Sequence, residues 1–401
     1  MDSSFGIDDV SHRSGTAAVL PSPGRRSRGL PPTASDRRPD GPDRLRRFAW
    51  LMAAALLVAS CSGGAGSSPT GDATPTATTA TTLVDIGAGL QGPAGLTAGV
   101  YATGLANVSA LALDGLGRLW IATAAFEDAG SDAVYLVPSA GATPISVIAD
   151  LHTPLGLLWI DDELYVSSKE RVEAFGGFDG SAFAGRRTVV TLPAGVGENN
   201  GLALSPDGRI VLGISSPTNA TEPTSRYSAA VVSFRPDGSQ LEVVASGIRA
   251  PIGLAYVPAT GGLLVTMNQR DDLGDATPGD WLAVVSSGQD WGFPDCYGQG
   301  GDACSGSPTP LAVLDPHAAV SGLAIATGQL GTAVGTSALV AEWSTGKVLA
   351  VDLAGEGTAG AEATVTPFLA GLQNPVPLLL DSDGTLFVGD WGTGTIYAVA
   401  A

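Results

Sequence analysis

The amino-acid sequence predicts an all-β protein: a six-bladed β-propeller in which an N-terminal strand closes the last blade. Three observations lead there. From Leu83 onward the chain repeats one unit, an apolar stretch, a turn signal and a second apolar stretch, and self-similarity of this kind marks a repeat architecture. No segment holds a convincing helical period. The last copy is followed by only one further strand, while a spare strand-like segment stands ahead of the first copy.

The clearest copies are 108–123 (VSALALDGLGRLWIAT), 154–167 (PLGLLWIDDELYVS) and 201–214 (GLALSPDGRIVLGI). The others are 252–267 (IGLAYVPATGGLLVTM), the more degenerate 320–340, and 376–390 (VPLLLDSDGTLFVGD). Their starts lie 46, 47, 51, 68 and 56 residues apart. Asp-Gly or Gly-Gly in the tight turns is the chemistry a hairpin needs. The first arm of each is nearly all apolar, so both of its faces are buried; the second alternates more. One hairpin cannot bury its faces alone, but a ring of them can, and about 50 residues per unit suits four strands per blade. Residues 97–103 (TAGVYAT) supply the outer strand that the last blade lacks, which removes a sheet edge.

Ahead of the repeats the chain changes character. Of its 401 residues, 1–60 hold nine Arg and six Asp, leaving 11 basic and 33 acidic side chains for the rest. A surface so acidic repels phosphate backbones, which argues against nucleic acid, and can draw cations such as Ca²⁺. Arg44, Arg46 and Arg47 precede an apolar run from Phe48 to Val58 and then Ala59-Ser60-Cys61. This is the signal-peptide pattern over 44–60, and the run is too short to span a bilayer. Val58-Ala59-Ser60-Cys61 resembles the bacterial lipobox, which implies lipidation of Cys61 and a place on the extracytoplasmic face, with membrane contact through the anchor alone. An ordinary secretory signal with an incidental Cys is the alternative. Residues 61–82, rich in Ser, Thr, Pro and Ala, read as a tether. Residues 1–43 read as disordered or as lying before the true start, and the propeller occupies 83–401. Outside the cytoplasm, Cys296 and Cys304 are expected to pair.

In a propeller the first strand of each blade lines the axis, so the residues just before these strands converge at one mouth. They are Asn107, His152, Glu198 with Asn199 and Asn200, Arg249, His317, and Gln373 with Asn374. Six polar groups around a concave mouth form the candidate site. The long fourth interval holds an insertion, 268–316, that opens Asn268-Gln269-Arg270-Asp271-Asp272-Leu273-Gly274-Asp275. Its carboxylates and Gly-bearing loop offer oxygen ligands of the type Ca²⁺ prefers, or else form a solvated acidic loop. Asp381-Ser382-Asp383-Gly384 reads as a hairpin turn. A phosphate-binding Gly loop before a helix, Cys/His metal spacing and a nucleophile elbow are all missing from the sequence.

The stretch 243–297, with Gly-Ile-Arg249, Ile252-Gly253-Leu254, Asn268 before Arg270-Asp271, and Trp291-Gly292-Phe293-Pro294, resembles the soluble quinoprotein glucose and sorbosone dehydrogenases. Pro316-His317, Gly322-Leu323 and the final repeat resemble the same family. The resemblance implies a six-bladed propeller that oxidises sugars with pyrroloquinoline quinone (PQQ) and Ca²⁺. It implies a cofactor-binding role for Arg249, a Lys347 near the quinone, and Ca²⁺ near the carbonyls of Leu273 and Gly274, beside Asp275. Asn199, Asn200 and His317 would face the cofactor. The sequence departs from that pattern where the family base, a His before the third inner strand, is expected. Here the segment reads Gly197-Glu198-Asn199-Asn200, leaving Glu198 or His152 as the base. Ala250 stands for an Asn, and Gln373 and Asn374 stand for basic residues. Three functions follow: a PQQ-dependent sugar dehydrogenase, a propeller that binds a sugar without oxidising it, and a Ca²⁺-dependent lactonase-like hydrolase using Glu198, Asn199 and Asn200.

Overall fold

The computed structural model describes residues 82–126, 130–297, 302–354 and 363–401. Residues 1–81, with the signal-like run, Cys61 and nearly all of the tether, lie outside them. Among the described residues the chain forms six antiparallel sheets, which are the six blades.

The inner strands are Val108–Leu113, Gly156–Ile160, Asn199–Leu204, Pro251–Tyr256, Val320–Thr327 and Pro375–Leu380. Each packs against the next, and Pro375–Leu380 packs against Val108–Leu113, closing the ring. Thr97–Ala102 pairs antiparallel with Thr395–Ala400, from Thr97 opposite Ala400 to Ala102 opposite Ile396, so the expected closing strand completes blade 6. Hairpin chemistry is visible at the first turn. There Asp114 Oδ1 accepts the Leu116 and Arg118 backbone N–H groups at 2.9 and 3.0 Å, and Gly117 takes φ +73°. Residues 381–384 form a turn of the same kind, with Gly384 N–H on the Asp381 carbonyl.

Side chains and backbone lock neighbouring blades at the axis. Ser109 Oγ donates to the Pro154 carbonyl at 2.7 Å, Ser167 Oγ to Asn200, Asn200 Nδ2 to Pro251, Thr266 Oγ1 to Ser321, and Ser321 Oγ to Pro375. The same seam needs glycine: a Cβ on Gly322 would lie 2.2 Å from the Val376 carbonyl oxygen. Apolar residues of adjacent blades share each core cluster. Leu254 of blade 4, for example, packs with Val211 and Val231 of blade 3.

Two features differ from the sequence expectation. Residues 268–316 are only partly an insertion, since they contain the two outer strands of blade 4, Trp281–Val285 and the two-residue Ala312–Val313. The fourth copy is hard to delimit in sequence because that outer strand is so short. A hairpin, Val84–Gly87 and Leu90–Gly92, extends blade 5 outward through Gln91 opposite Ala370. Cys296 and Cys304 form the expected disulfide.

Candidate functional site

One hydrogen bond recurs in all six blades and defines one end of the propeller. The residue following the second strand donates its N–H to a carbonyl just before or at the start of the inner strand. The pairs are Ala124 to Asn107, Lys169 to His152, Ser215 to Glu198, Asn268 to Ala250, Trp343 to Ala319 and Trp391 to Asn374. The predicted mouth residues therefore stand around a single rim.

Over blades 4 to 6 this rim is continuous. Arg249 Nε donates to the Asn219 carbonyl at 3.0 Å, Nη2 to Asn219 Oδ1 at 2.6 Å and Nη1 to the Asn268 carbonyl at 3.1 Å. Asp271 Oδ2 lies 3.9 Å from Arg249 Nη2, and its Oδ1 lies 3.4 Å from His317 Nδ1. His317 Nε2 lies 3.0 Å from the Gly274 carbonyl oxygen. The Gly274 carbonyl, against the opposing pull of burial and with help from Asp271, raises the imidazole above its ordinary value. Both ring nitrogens face acceptors, which suits the doubly protonated form. Burial draws the Arg249 guanidinium below its ordinary value, with Asp271 and Asp280 opposing.

The arc continues through two indoles. Ser344 Oγ donates to the His317 carbonyl. The Trp343 carbonyl accepts Asn374 Nδ2 at 3.0 Å, and the Trp343 ring meets Trp391 edge-on at 6.0 Å. Trp391 Nε1 donates to the Ala124 carbonyl at 3.1 Å, joining blade 6 to blade 1. Sequence reasoning missed Asn219, Trp343 and Trp391. For the tryptophans a signal existed: Glu342-Trp343 and Asp390-Trp391 are the same acid–Trp pair at the end of the second strand in consecutive blades. Asn219 sits in an irregular loop and gave none.

Other sequence candidates take different places. Asn199 and Asn200 lie inside the inner strand, not ahead of it, because the strand begins two residues early, with a shift of register between Asn199 and Leu202. Asn199 is fully buried, its Nδ2 donating to the Ser168 carbonyl at 2.8 Å. Asn200 Nδ2 holds Ser215 Oγ and the Pro251 carbonyl. Both amides thus face the seams between blades and not the mouth. Glu198 is half-buried on the rim of blade 3, and His152 is exposed on that of blade 2, its ring beside Gly130. Those two are a blade or more away from the Arg249–Trp391 arc.

Neither expected cofactor meets a suitable donor set. Three carboxylates of a quinone would require open cations. The Arg249 guanidinium is already clasped by Asn219 and Asn268, and Lys347 Nζ is held between Asp315 and the fully buried Glu342. For Ca²⁺, the Leu273 carbonyl accepts the Ala276 N–H, and the Gly274 carbonyl accepts both the Thr277 N–H and His317 Nε2. Asp275 is exposed, and among the described residues no three His, Cys, Asp or Glu side chains gather as a metal set. The residues present do not fit PQQ or Ca²⁺ in this arrangement.

No family model matches the chain, and no curated protein matches it. Solved structures do share its fold. A carbohydrate-active enzyme of family AA12 from Trichoderma reesei superposes with a TM-score of 0.65 at 18% identity, covering 80% of this chain and 98% of that one. A putative oxidoreductase (glucose dehydrogenase) from Thermus thermophilus gives 0.60 at 19%, over 76% and 100%. The PQQ-bound aldose sugar dehydrogenase of Streptomyces coelicolor gives 0.59 at 20%, over 77% and 99%.

Proposed function

We propose that the protein handles sugars at the rim where blades 4, 5 and 6 meet. The observation that carries this reading is the continuous arc of Arg249, Asp271, His317, Trp343 and Trp391. A carboxylate and planar cationic donors suit the paired hydroxyls of a pyranose, and half-exposed indoles suit its C–H face. Arg249, His317 and Trp391 are fixed beforehand by side-chain bonds to backbone carbonyls, so little order has to be created there on binding. A neutral polyhydroxy ligand also agrees with cations that are already neutralised within the chain.

Oxidation of the bound sugar with a quinone cofactor is a second reading, favoured by the shared fold with the PQQ-bound Streptomyces enzyme. The donor set described above opposes it, and we derive no step through that cofactor. Anchoring through Cys61 on the extracytoplasmic face belongs to the proposal as well, on the strength of the Arg44–Cys61 pattern.

Calorimetric titration of the purified protein with aldoses, alone and after addition of PQQ and Ca²⁺, tests both readings. Sugar binding that Trp391→Ala weakens, without dye reduction in any mixture, supports the first. Dye reduction that depends on PQQ and is lost in Arg249→Ala establishes the second. No sugar binding under any condition removes both.

A further inference from the structure

Outside the rim, on the same end of the propeller, a polar groove runs between the loops of blades 3 and 4. Glu222, Ser225, Arg226 and Ser228 line one wall, and Asp290, Phe293 and Asp295 line the other. Gly247 separates this groove from a smaller cavity beside Arg249, lined by Met267, Trp281, Trp291 and Tyr297. The saddle is tight, since a Cβ on Gly247 would lie 2.3 Å from Asp290 Oδ1 and 2.4 Å from the Gly292 nitrogen. The groove therefore adjoins the Arg249 end of the rim.

Two buried polar groups flank the saddle without partners. Ser228, which lines the groove, is 4% exposed, and its buried hydroxyl has no hydrogen-bond partner. Trp291, which lines the cavity, is 4% exposed and stacked on Trp281 at 4.6 Å, and its buried Nε1 has none either. Buried donors are normally satisfied, so the unpaired Ser228 hydroxyl in the groove lining, with the unpaired Trp291 Nε1 in the adjoining cavity, points to a ligand that brings hydroxyls. The walls alternate carboxylates and one Arg with the faces of Phe293, Pro223 and Pro294. Such a mixture of hydroxyl-pairing groups and apolar faces, without a dominant cation, suits a sugar ring better than a phosphate or an acidic peptide.

We infer that this groove is a second sugar subsite, and that the ligand of the rim is an oligosaccharide whose further units lie over blades 3 and 4. The inference rests on the rim reading of the preceding subsection and adds the substrate's length to it.

Titrating the full chain with glucose and with cello- and malto-oligosaccharides of increasing length tests it. One series is expected to bind about ten-fold more tightly than glucose once a second or third unit is present. That gain is expected to vanish in the surface variant Arg226→Ala/Asp295→Ala, and to shrink in Ser228→Ala, while glucose affinity stays unchanged. Glucose binding with no gain along either series overturns the subsite and leaves the rim reading standing. A gain that survives in the Arg226→Ala/Asp295→Ala variant also overturns the subsite. Absence of any sugar binding overturns both.

Discussion

Asp280 and Asp132 do the same job in blades 4 and 1. Asp280 accepts the Gln269 N–H on one oxygen at 2.7 Å and the Val320 N–H on the other at 3.1 Å. Asp132 likewise holds Ala125 at 2.9 Å and Thr153 at 3.1 Å. Each carboxylate ties the residue two beyond its own second strand to the start of the next blade, which fixes the spacing of the rim. Burial pushes the Asp280 carboxyl up to about 6, against the two N–H donors. A carboxyl raised on folding binds more protons folded than unfolded. Its contribution to stability is therefore greatest below about pH 4 and declines as pH rises from there to about 6. Asp280→Asn would set an amide NH₂ against one backbone N–H, at a cost of about 1–3 kcal/mol. Denaturant unfolding at several pH values should show the loss in the variant, together with disappearance of this group's slope between about pH 4 and 6.

The seam between blades 5 and 6 gives a sharper stability test. A Cβ at Gly322 would also lie 2.7 Å from the Leu378 nitrogen, so the added methyl meets backbone that belongs to another blade and cannot rotate away. Gly322→Ala is expected to cost about 3 kcal/mol or more. Gly115→Ala is the control, because nothing lies within 4 Å of a Cβ there. Equal unfolding midpoints for the two variants would contradict the tight seam.

The repeat and its closure were legible because they rest on local signals: turn residues at fixed places and apolar arms that alternate with them. Six inner strands and the role of residues 97–103 followed from those alone. The start of the third inner strand was not legible. Asn199 and Asn200 look like turn residues, and only the neighbouring carbonyls of Ser168, Arg171 and Pro251 draw them into the strand. The hairpin at 84–92 escaped for a related reason, since it is short and its partner in blade 5, Ala370, is remote from Gln91 along the chain. At the site, residue types were readable and pairings were not. Arg249 looked like an open cation until the 215–229 loop brought Asn219 against it.

Closure of the ring by Thr97–Ala102 should be measurable by truncation. A chain starting at Leu96 keeps the closing strand and loses only the outer hairpin, which is registered to blade 5 through Gln91 and Ala370. Starting at Leu105 leaves Thr395–Ala400 as a bare edge and removes Tyr101 from its edge-on contact with Phe387 at 5.0 Å. The first truncation is expected to elute in size-exclusion chromatography with the same assembly state as the longer chain. The second is expected to aggregate, as an unpaired strand edge does.

Cys296 and Cys304 close an eight-residue separation in the loop beside the cavity next to Arg249. Loop-closure entropy assigns such a link about 2.5 kcal/mol. Replacing both with Ser should lower the unfolding free energy by up to that amount, and reductant should do the same to the parent but nothing to the variant. A reductant effect of equal size on both would place the sensitivity elsewhere.

Asp271 separates binding from folding at the rim. Its side chain is 67% exposed, so Asp271→Asn should change stability by less than about 0.5 kcal/mol. Yet its carboxylate is what connects Arg249 to His317, at 3.9 and 3.4 Å. Without that charge the imidazole faces a neutral acceptor in place of an anionic one, so its doubly protonated form is less favoured, and a sugar hydroxyl loses a charged acceptor between two donors. Sugar affinity should fall about ten-fold, the worth of one charge-assisted hydrogen bond, with the unfolding midpoint unchanged. Arg249→Lys should behave differently. A point ammonium cannot span Asn219 and the Asn268 carbonyl together, so both stability and affinity should fall. Unaltered sugar binding in both variants would remove the arc from the ligand's path, since these are the side chains that join blade 4 to blade 5 there.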